Sequence, residues 1–322
     1  MEYRLLGRTG VQVSRLCLGT MPFGGDADAE MSARMYRAGR DAGINFFDCA
    51  DQYNKGRSEE ILGELMRGHR DELVITTKCF SATGADRNAR GGSRRHLTRA
   101  AEASLRRLQT DRVEVLFLHQ TDERTPLEET LRAFEDLVRA GKVLYPGLSN
   151  HSAWQTQQGL DIQERRGWAR LQLIQPMYNL VKRQAEVEIL PMAAANDLGV
   201  IAYSPAGGGL LSGKYAEKAS GRLSTNKMYE KRYGEAWMHE VAAGFAAFCK
   251  QRGWHPVSAA VAWVAAHPAV TAPIIGARSL EQLQASLDSL KIPMTRELRA
   301  EMAQLSRTPP PATDRLEELI GK

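Results

Sequence analysis

A chain of 322 residues with 43% apolar, 25% charged and 7% aromatic residues has the make-up of an ordinary globule with a sizeable core, which excludes intrinsic disorder. A formal charge of +5 and a pI of ≈ 9.0 are a small excess for this length and suit an anionic small ligand better than a nucleic acid. The densest basic run, Arg87, Arg90, Arg94, Arg95, Arg99, Arg106 and Arg107, is interleaved with Glu102 and Asp111 and lacks aromatic residues for base stacking, so it reads as a loop and a solvated helix face. Cys17, Cys49, Cys79 and Cys249 form no CxxC pair and have no histidine at zinc-finger spacing, which predicts reduced structural thiols and no metal. The most apolar stretch, Val257 to Ala266, is too short to span a bilayer and the N-terminus has no apolar targeting core, so a cytoplasmic protein with no membrane partner is expected.

Along the chain, GRTG lies between Leu5 to Leu6 and Val11 to Val13, a hairpin signal outside any βα unit and suited to plugging the bottom of a barrel. Short apolar runs then alternate with longer segments of helical period. The predicted strands are Leu16 to Leu18, Ile44 to Phe47, Leu73 to Thr77, Val113 to Leu118, Val143 to Leu148, Leu173 to Gln175, Val200 to Tyr203 and Ala272 to Ile275. Helical candidates between them include Ser58 to Arg67, Leu97 to Leu108, Leu127 to Ala140, Ala153 to Arg165, Gln184 to Asn196 and Val257 to Ala266. Eight strands alternating with helices fit one closed (β/α)₈ TIM barrel, whose usual size is roughly 250 residues plus insertions. The competing open sheet would carry GxGxxG after its first strand, where this chain has GTMPFGG. Residues 207 to 240 and the tail from Thr308 depart from strict alternation, and loops of that length tend to be functional. A single domain spanning 1–322 is expected.

In a barrel the chemistry sits where strands end. Asp48 follows INFF, Lys78 follows LVITT and His119 follows VEVLFL, each the first strongly polar side chain after a buried run, and Tyr53 lies in the loop five residues past Asp48. Any one of these is unremarkable alone, but a buried Lys or Asp without a partner costs several kcal/mol. A carbonyl that receives hydride becomes an alkoxide, so its site must supply a proton and stabilise charge. Tyr53 is the candidate acid, Lys78 the ammonium that lowers the phenol pKa, Asp48 the counter-ion of Lys78, and His119 the hydrogen-bond donor that orients the carbonyl.

The segments INFFDCADQYNKGRSEEILGEL, TTK, FLHQTD, AGKVLYPGLSN, QPMYNL, YSPAGGGLLSGKY and PIIGARSLEQL, in this order over nearly the whole chain, resemble the aldo-keto reductase superfamily. The resemblance implies a TIM barrel, a small-molecule carbonyl substrate, and an Asp, Tyr, Lys and His tetrad that falls on Asp48, Tyr53, Lys78 and His119. It implies that Ser149, Asn150 and Gln175 hydrogen-bond a nicotinamide carboxamide and that Tyr203 stacks on the ring, although GLSN also reads as a strand end with a helix cap and Tyr203 as barrel core. Gly19, Thr20 and Met21 join Asp48 on the same cofactor surface. Ser204, Pro205, Ala206, Gly208, Leu210, Ser212 and Lys214 fall in a small-residue loop whose amides can approach a pyrophosphate. Ile275, Gly276, Arg278, Gln282 and Ser286 fall at the last strand and the helix after it, and Arg278 on a 2′-phosphate favours NADPH (NADP⁺) over NADH.

Four positions depart from the family pattern. Ser286 stands for a common Asn, Ala285 for Glu or Asp, Ala206 for Leu and Asn54 for Gly, which touches affinity and specificity before chemistry. Met21, Phe23, Phe80, Gln120, Tyr229 and Trp237 are candidate walls of the substrate pocket. Two rival readings remain: a cofactor-binding regulatory subunit on the same fold with slow turnover, and a metal-dependent barrel isomerase, for which only Asp48 and His119 are suitably placed.

Overall fold

The computed structural model describes residues 1–217, 221–313, 315 and 317; residues 218–220 of the long 207 to 240 segment and most of the tail after 313 lie outside it. Eight parallel strands close into a barrel in chain order: β3 (Cys17–Gly19), β4 (Phe46–Asp48), β5 (Val74–Cys79), β6 (Val113–Leu118), β7 (Val143–Ser149), β8 (Leu173–Gln175), β9 (Gly199–Ala202) and β10 (Ala272–Ile275), with β10 pairing both β9 and β3. Helices α1 (Ala29–Asp41), α2 (Arg57–Leu65), α3 (Arg94–Leu108), α4 (Leu127–Arg139), α5 (Ala153–Arg166) and α6 (Ile189–Ala195) follow successive strands. β5 and β6 are buried at every position, as parallel strands between a barrel interior and a helical jacket must be.

Two apolar clusters divide the molecule. The larger lies between strands and helices, while the smaller fills the barrel interior with Cys17, Phe46, Val74, Val115, Phe117, Leu173, Ile201, Ala272 and Ile274. Strand side chains alternate with period two, so the inward positions above this plug are Gly19, Asp48, Thr76 and Lys78, His119, Ser149, Gln175, Tyr203 and Gly276. One parity rule therefore carries each strand from apolar filling to polar rim.

The lower end is closed by the hairpin β1 (Tyr3–Leu5) and β2 (Gln12–Ser14), antiparallel with Leu5 opposite Gln12. Its Leu6 and Val13 are fully buried in the interior cluster. Gly7 has φ +55° and a Cβ there would stand 2.8 Å from the Gly199 nitrogen, so the hairpin approaches β9 as closely as it does only through glycine.

The segment read as one helix, Gln184 to Asn196, is instead a 3₁₀ turn, Gln184–Glu186, followed by α6. Pro191 explains the break, because its ring excludes the carbonyl four residues earlier from a continuous helix. The long segment after β9 is also more ordered than its composition suggested. It holds 3₁₀ turns at Gly207–Ser212 and Lys214–Glu217, then α7 (Arg222–Thr225), α8 (Lys227–Tyr233) and α9 (Ala236–Gln251), before α10 (Pro256–Ala265). After β10 come α11 (Leu280–Leu287) and α12 (Arg296–Ala303). No described helix is long and apolar enough to cross a membrane. The arginine-rich stretch becomes a loop and α3, with Arg94 on Asp136, Arg95 on Asp86 and Arg107 on Glu59. All four cysteines are buried free thiols.

Candidate active site

Pairing brings the polar rim together, with Asp48 beside Thr76 on β5, Lys78 one pleat higher and Ser149 beside Gln175. Lys78, with no solvent exposure, spends three N–H donors on three acceptors: Asp48 Oδ2 at 2.6 Å, the Cys49 carbonyl at 2.7 Å and Tyr53 Oη at 3.2 Å. The other oxygen of Asp48 accepts from Thr76 Oγ1 at 2.6 Å and Gln175 Nε2 at 2.9 Å. The His119 ring meets the Tyr53 ring edge to face, with centroids 6.1 Å apart, and Gln52 Nε2 donates to His119 Nδ1 at 3.3 Å.

The loop carrying Tyr53 is bolted down by the residue that departs from the family's glycine. Asn54 has φ 49° and ψ 41°, a left-handed conformation that Asn tolerates better than most side chains. Its Nδ2 donates to the carbonyls of Met21 at 2.9 Å and Phe23 at 2.8 Å, joining the loops after β3 and β4.

Burial raises the Tyr53 phenol to about 12; Lys78 pulls it down, as its charge should, but not enough to offset desolvation. The expectation of a net lowering is thus corrected, because the phenol and the ammonium share one dry pocket. Lys78 itself is disfavoured as a cation by burial, yet the charges of Asp48 and Tyr53 prevail and its pKa is raised. Burial, with the Lys78 charge beside it, takes His119 down to about 3, so the imidazole is neutral at physiological pH.

A cleft of ≈ 640 Å³ opens above this cluster. Asp48, Tyr53 and His119 line it, as do Gly19, Met21, Ser149, Asn150, Gln175, Tyr203, Ser204, Pro205, Ala206, Gly208, Ser212, Lys214, Ile275, Gly276, Arg278, Gln282 and Ser286. Ser149 Oγ donates to the Gln175 carbonyl at 3.0 Å, and Tyr203 Oη to Asn150 Oδ1 at 2.7 Å. Asn150 Nδ2 donates in turn to the His119 carbonyl at 2.9 Å. Asn150 and Ser204 both hold positive φ, 59° and 57°, so the rim loops after β7 and β9, on either side of β8, store backbone strain at the cleft.

Two predicted cofactor residues do not line it. Thr20 is buried with its hydroxyl on the Asp48 carbonyl, and Leu210 belongs to the outer apolar core. Of the predicted pocket walls, Met21, Gln120 and Tyr229 face the cleft. Phe23 and Phe80 are instead core residues, and Trp237 lies under the Arg307 guanidinium, 4.6 Å from its ring. Gln52, Arg232, His255 and Glu281, which the sequence reading left out, also line the cleft. Adjacency to Tyr53 was a signal for Gln52; nothing local distinguished Arg232 from its neighbours. Among the described residues no group of three His, Cys, Asp or Glu side chains is placed to hold a metal.

The profile of the Aldo/keto reductase family matches residues 15–307. The chain belongs to that family. It is similar to the oxidoreductase YrpG of Bacillus subtilis, 40% identical over 92% of this chain and 94% of that one. It is also similar to the L-glyceraldehyde 3-phosphate reductase of Escherichia coli, 33% identical over 90% and 88%, and to a probable voltage-gated potassium channel subunit beta of Oryza sativa, 34% identical over 91% and 92%. Membership of the aldo/keto reductase family and the names of these oxidoreductases support carbonyl reduction as the general chemistry.

Proposed function

We propose that this aldo/keto reductase uses NADPH to reduce aldehydes or ketones to alcohols, with Tyr53 as the proton donor. The carrying observation is the contact of the Tyr53 phenol with a buried ammonium, 3.2 Å away, at the floor of an open cleft that neutral His119 also lines. NADPH, when bound, supplies the hydride.

The residues fit such a group. The cleft volume falls within the roughly 300–1,000 Å³ of small-ligand and cofactor sites. Lys214 and Arg278 line it as cations, and α11 presents its N-terminus behind Gly276, suited to phosphate groups. Gly208 and Gly209, at φ 64° and 97°, carry no side chain in the loop after β9, so the backbone there can approach a phosphate closely. Tyr203, Ser149, Asn150 and Gln175 would hold the nicotinamide; since Gln175 Nε2 already serves Asp48, its carbonyl oxygen is the end left for the carboxamide. Arg278 on a 2′-phosphate is the reason for preferring NADPH.

Tyr53 stays protonated at neutral pH, the form a donor needs, and an alkoxide is a strong enough base to take its proton. The phenolate that remains faces Lys78, already held as a cation by Asp48. His119 accepts from Gln52 at Nδ1, so its neutral ring carries the proton on Nε2, a donor that can orient a carbonyl oxygen.

The test is NADPH oxidation with a panel of aromatic and aliphatic aldehydes, for which turnover on the order of 1 s⁻¹ or faster is expected. Its pH dependence follows from the charges. Tyr53, raised to about 12, loses its proton only at strongly alkaline pH, and His119, lowered to about 3, gains one only in acid. The chemical step should therefore be level between roughly pH 5 and 9, whereas an acid limb at a free imidazole pKa would show that His119 is not the neutral donor. A second reading, a cofactor-binding regulatory subunit, draws on the name of the Oryza sativa relative. Tight NADPH binding with negligible turnover across the panel would favour it.

A further inference from the structure

Arg232 belongs to α8, in the long segment after β9, and is half-buried where it lines the cleft. Its guanidinium stands 6.0 Å from the centroid of the Tyr203 ring and 5.7 Å from that of Tyr229. Among the described residues no carboxylate lies within ion-pair distance of it, in contrast to Arg57, which is paired with Glu60, and Arg107, which is paired with Glu59. Two carboxylates line the cleft. Asp48 is occupied by Lys78, Thr76 and Gln175, and Glu281 is on α11 and makes no ion pair with Arg232.

A cation flanked by aromatic faces, partly stripped of water and without a counter-ion, is a ready partner for an anion. Its place in the cleft decides which anion. Tyr203 donates to Asn150, and Asn150 donates to the His119 carbonyl, so two side chains connect Arg232 to the tetrad rim. Lys214 and Arg278 are separate cations available to cofactor phosphates. We propose that Arg232 makes the cleft selective for carbonyl substrates bearing an anionic group, a carboxylate or a phosphate, which it holds while the carbonyl faces Tyr53 and His119. This rests on the reductase reading and adds a substrate class to it.

The experiment compares para-carboxybenzaldehyde and para-formylphenyl phosphate with neutral methyl para-formylbenzoate, in wild type, Arg232→Met and Arg232→Lys. Wild type should favour at least one anionic aldehyde over the ester by about tenfold or more in kcat/KM, through KM, and Arg232→Met should abolish that preference while Arg232→Lys keeps part of it. Which anionic probe gains more separates carboxylate from phosphate. A preference unchanged in Arg232→Met, or an NADPH affinity that falls with it, overturns the proposal and in the second case assigns Arg232 to the cofactor. If no aldehyde is reduced, the reductase reading fails and calorimetry decides this one. Binding of para-hydroxymethylbenzoate about tenfold weaker to Arg232→Met, without a matching loss for the benzamide, supports the anion site, and equal binding refutes it.

Discussion

Tyr53→Phe is expected to lower the turnover number for carbonyl reduction by about 10²–10⁴-fold, the usual worth of a positioned general acid, while NADPH affinity changes little. The substitution removes one hydroxyl, which sits 3.2 Å from Lys78 Nζ, and leaves the ring in place against His119. Lys78 keeps Asp48 and the Cys49 carbonyl as acceptors, so its charge remains compensated and the fold should be intact. Unfolding curves measured beside the kinetics separate a chemical loss from a structural one. Near-normal turnover would remove Tyr53 from the role of donor.

Lys78→Met should be more damaging, because it strikes stability as well as chemistry. The pair is closed to solvent, with side-chain exposures of 0% for Lys78 and 3% for Asp48. Removing the ammonium leaves Asp48 with Thr76 and Gln175 as donors and no opposite charge in contact, and orphaning one member of a buried pair typically costs about 3–5 kcal/mol. The wild-type pair keeps its stabilising contribution throughout neutral pH, because the raised pKa of Lys78 means that this contribution is lost only as pH climbs past that elevated value. The variant's deficit is read by urea denaturation at neutral pH. A deficit under about 1 kcal/mol would show the pair to be as inconsequential as a surface ion pair.

Much of the architecture was legible because its signals are local. Strand β6 is an apolar run interrupted only by Glu114, and β8 lies between Gln172 and Pro176, so both were bounded correctly by pattern alone. Asp48, Lys78 and His119 announced themselves through the same pattern, as inward positions where apolar filling stops. What escaped notice depends on contacts distant in sequence. The balance that leaves Tyr53 a weak acid is a contest between burial and Lys78, and the extent of burial is a property of the folded barrel. Thr20 and Leu210 lie within the right motifs yet face away from the cleft, one toward the Asp48 carbonyl and the other into the outer core. Arg232 acquires its place only when α8 packs over the barrel mouth, since nothing in MYEKRY separates it from Lys231 or Glu230. Asn54 is the converse case: a departure from glycine that looked like a weakness is accommodated by its left-handed backbone and ties two active-site loops together.

The most direct test is a crystal structure of the chain with NADP⁺ bound. The account predicts the nicotinamide against Tyr203 with its carboxamide at Ser149, Asn150 and Gln175, the phosphates among Lys214, Arg278 and the start of α11, and the reactive ring carbon facing the gap between the Tyr53 hydroxyl and His119. A dinucleotide bound elsewhere, or a Tyr53 hydroxyl swung beyond hydrogen-bonding distance of Lys78, would contradict it.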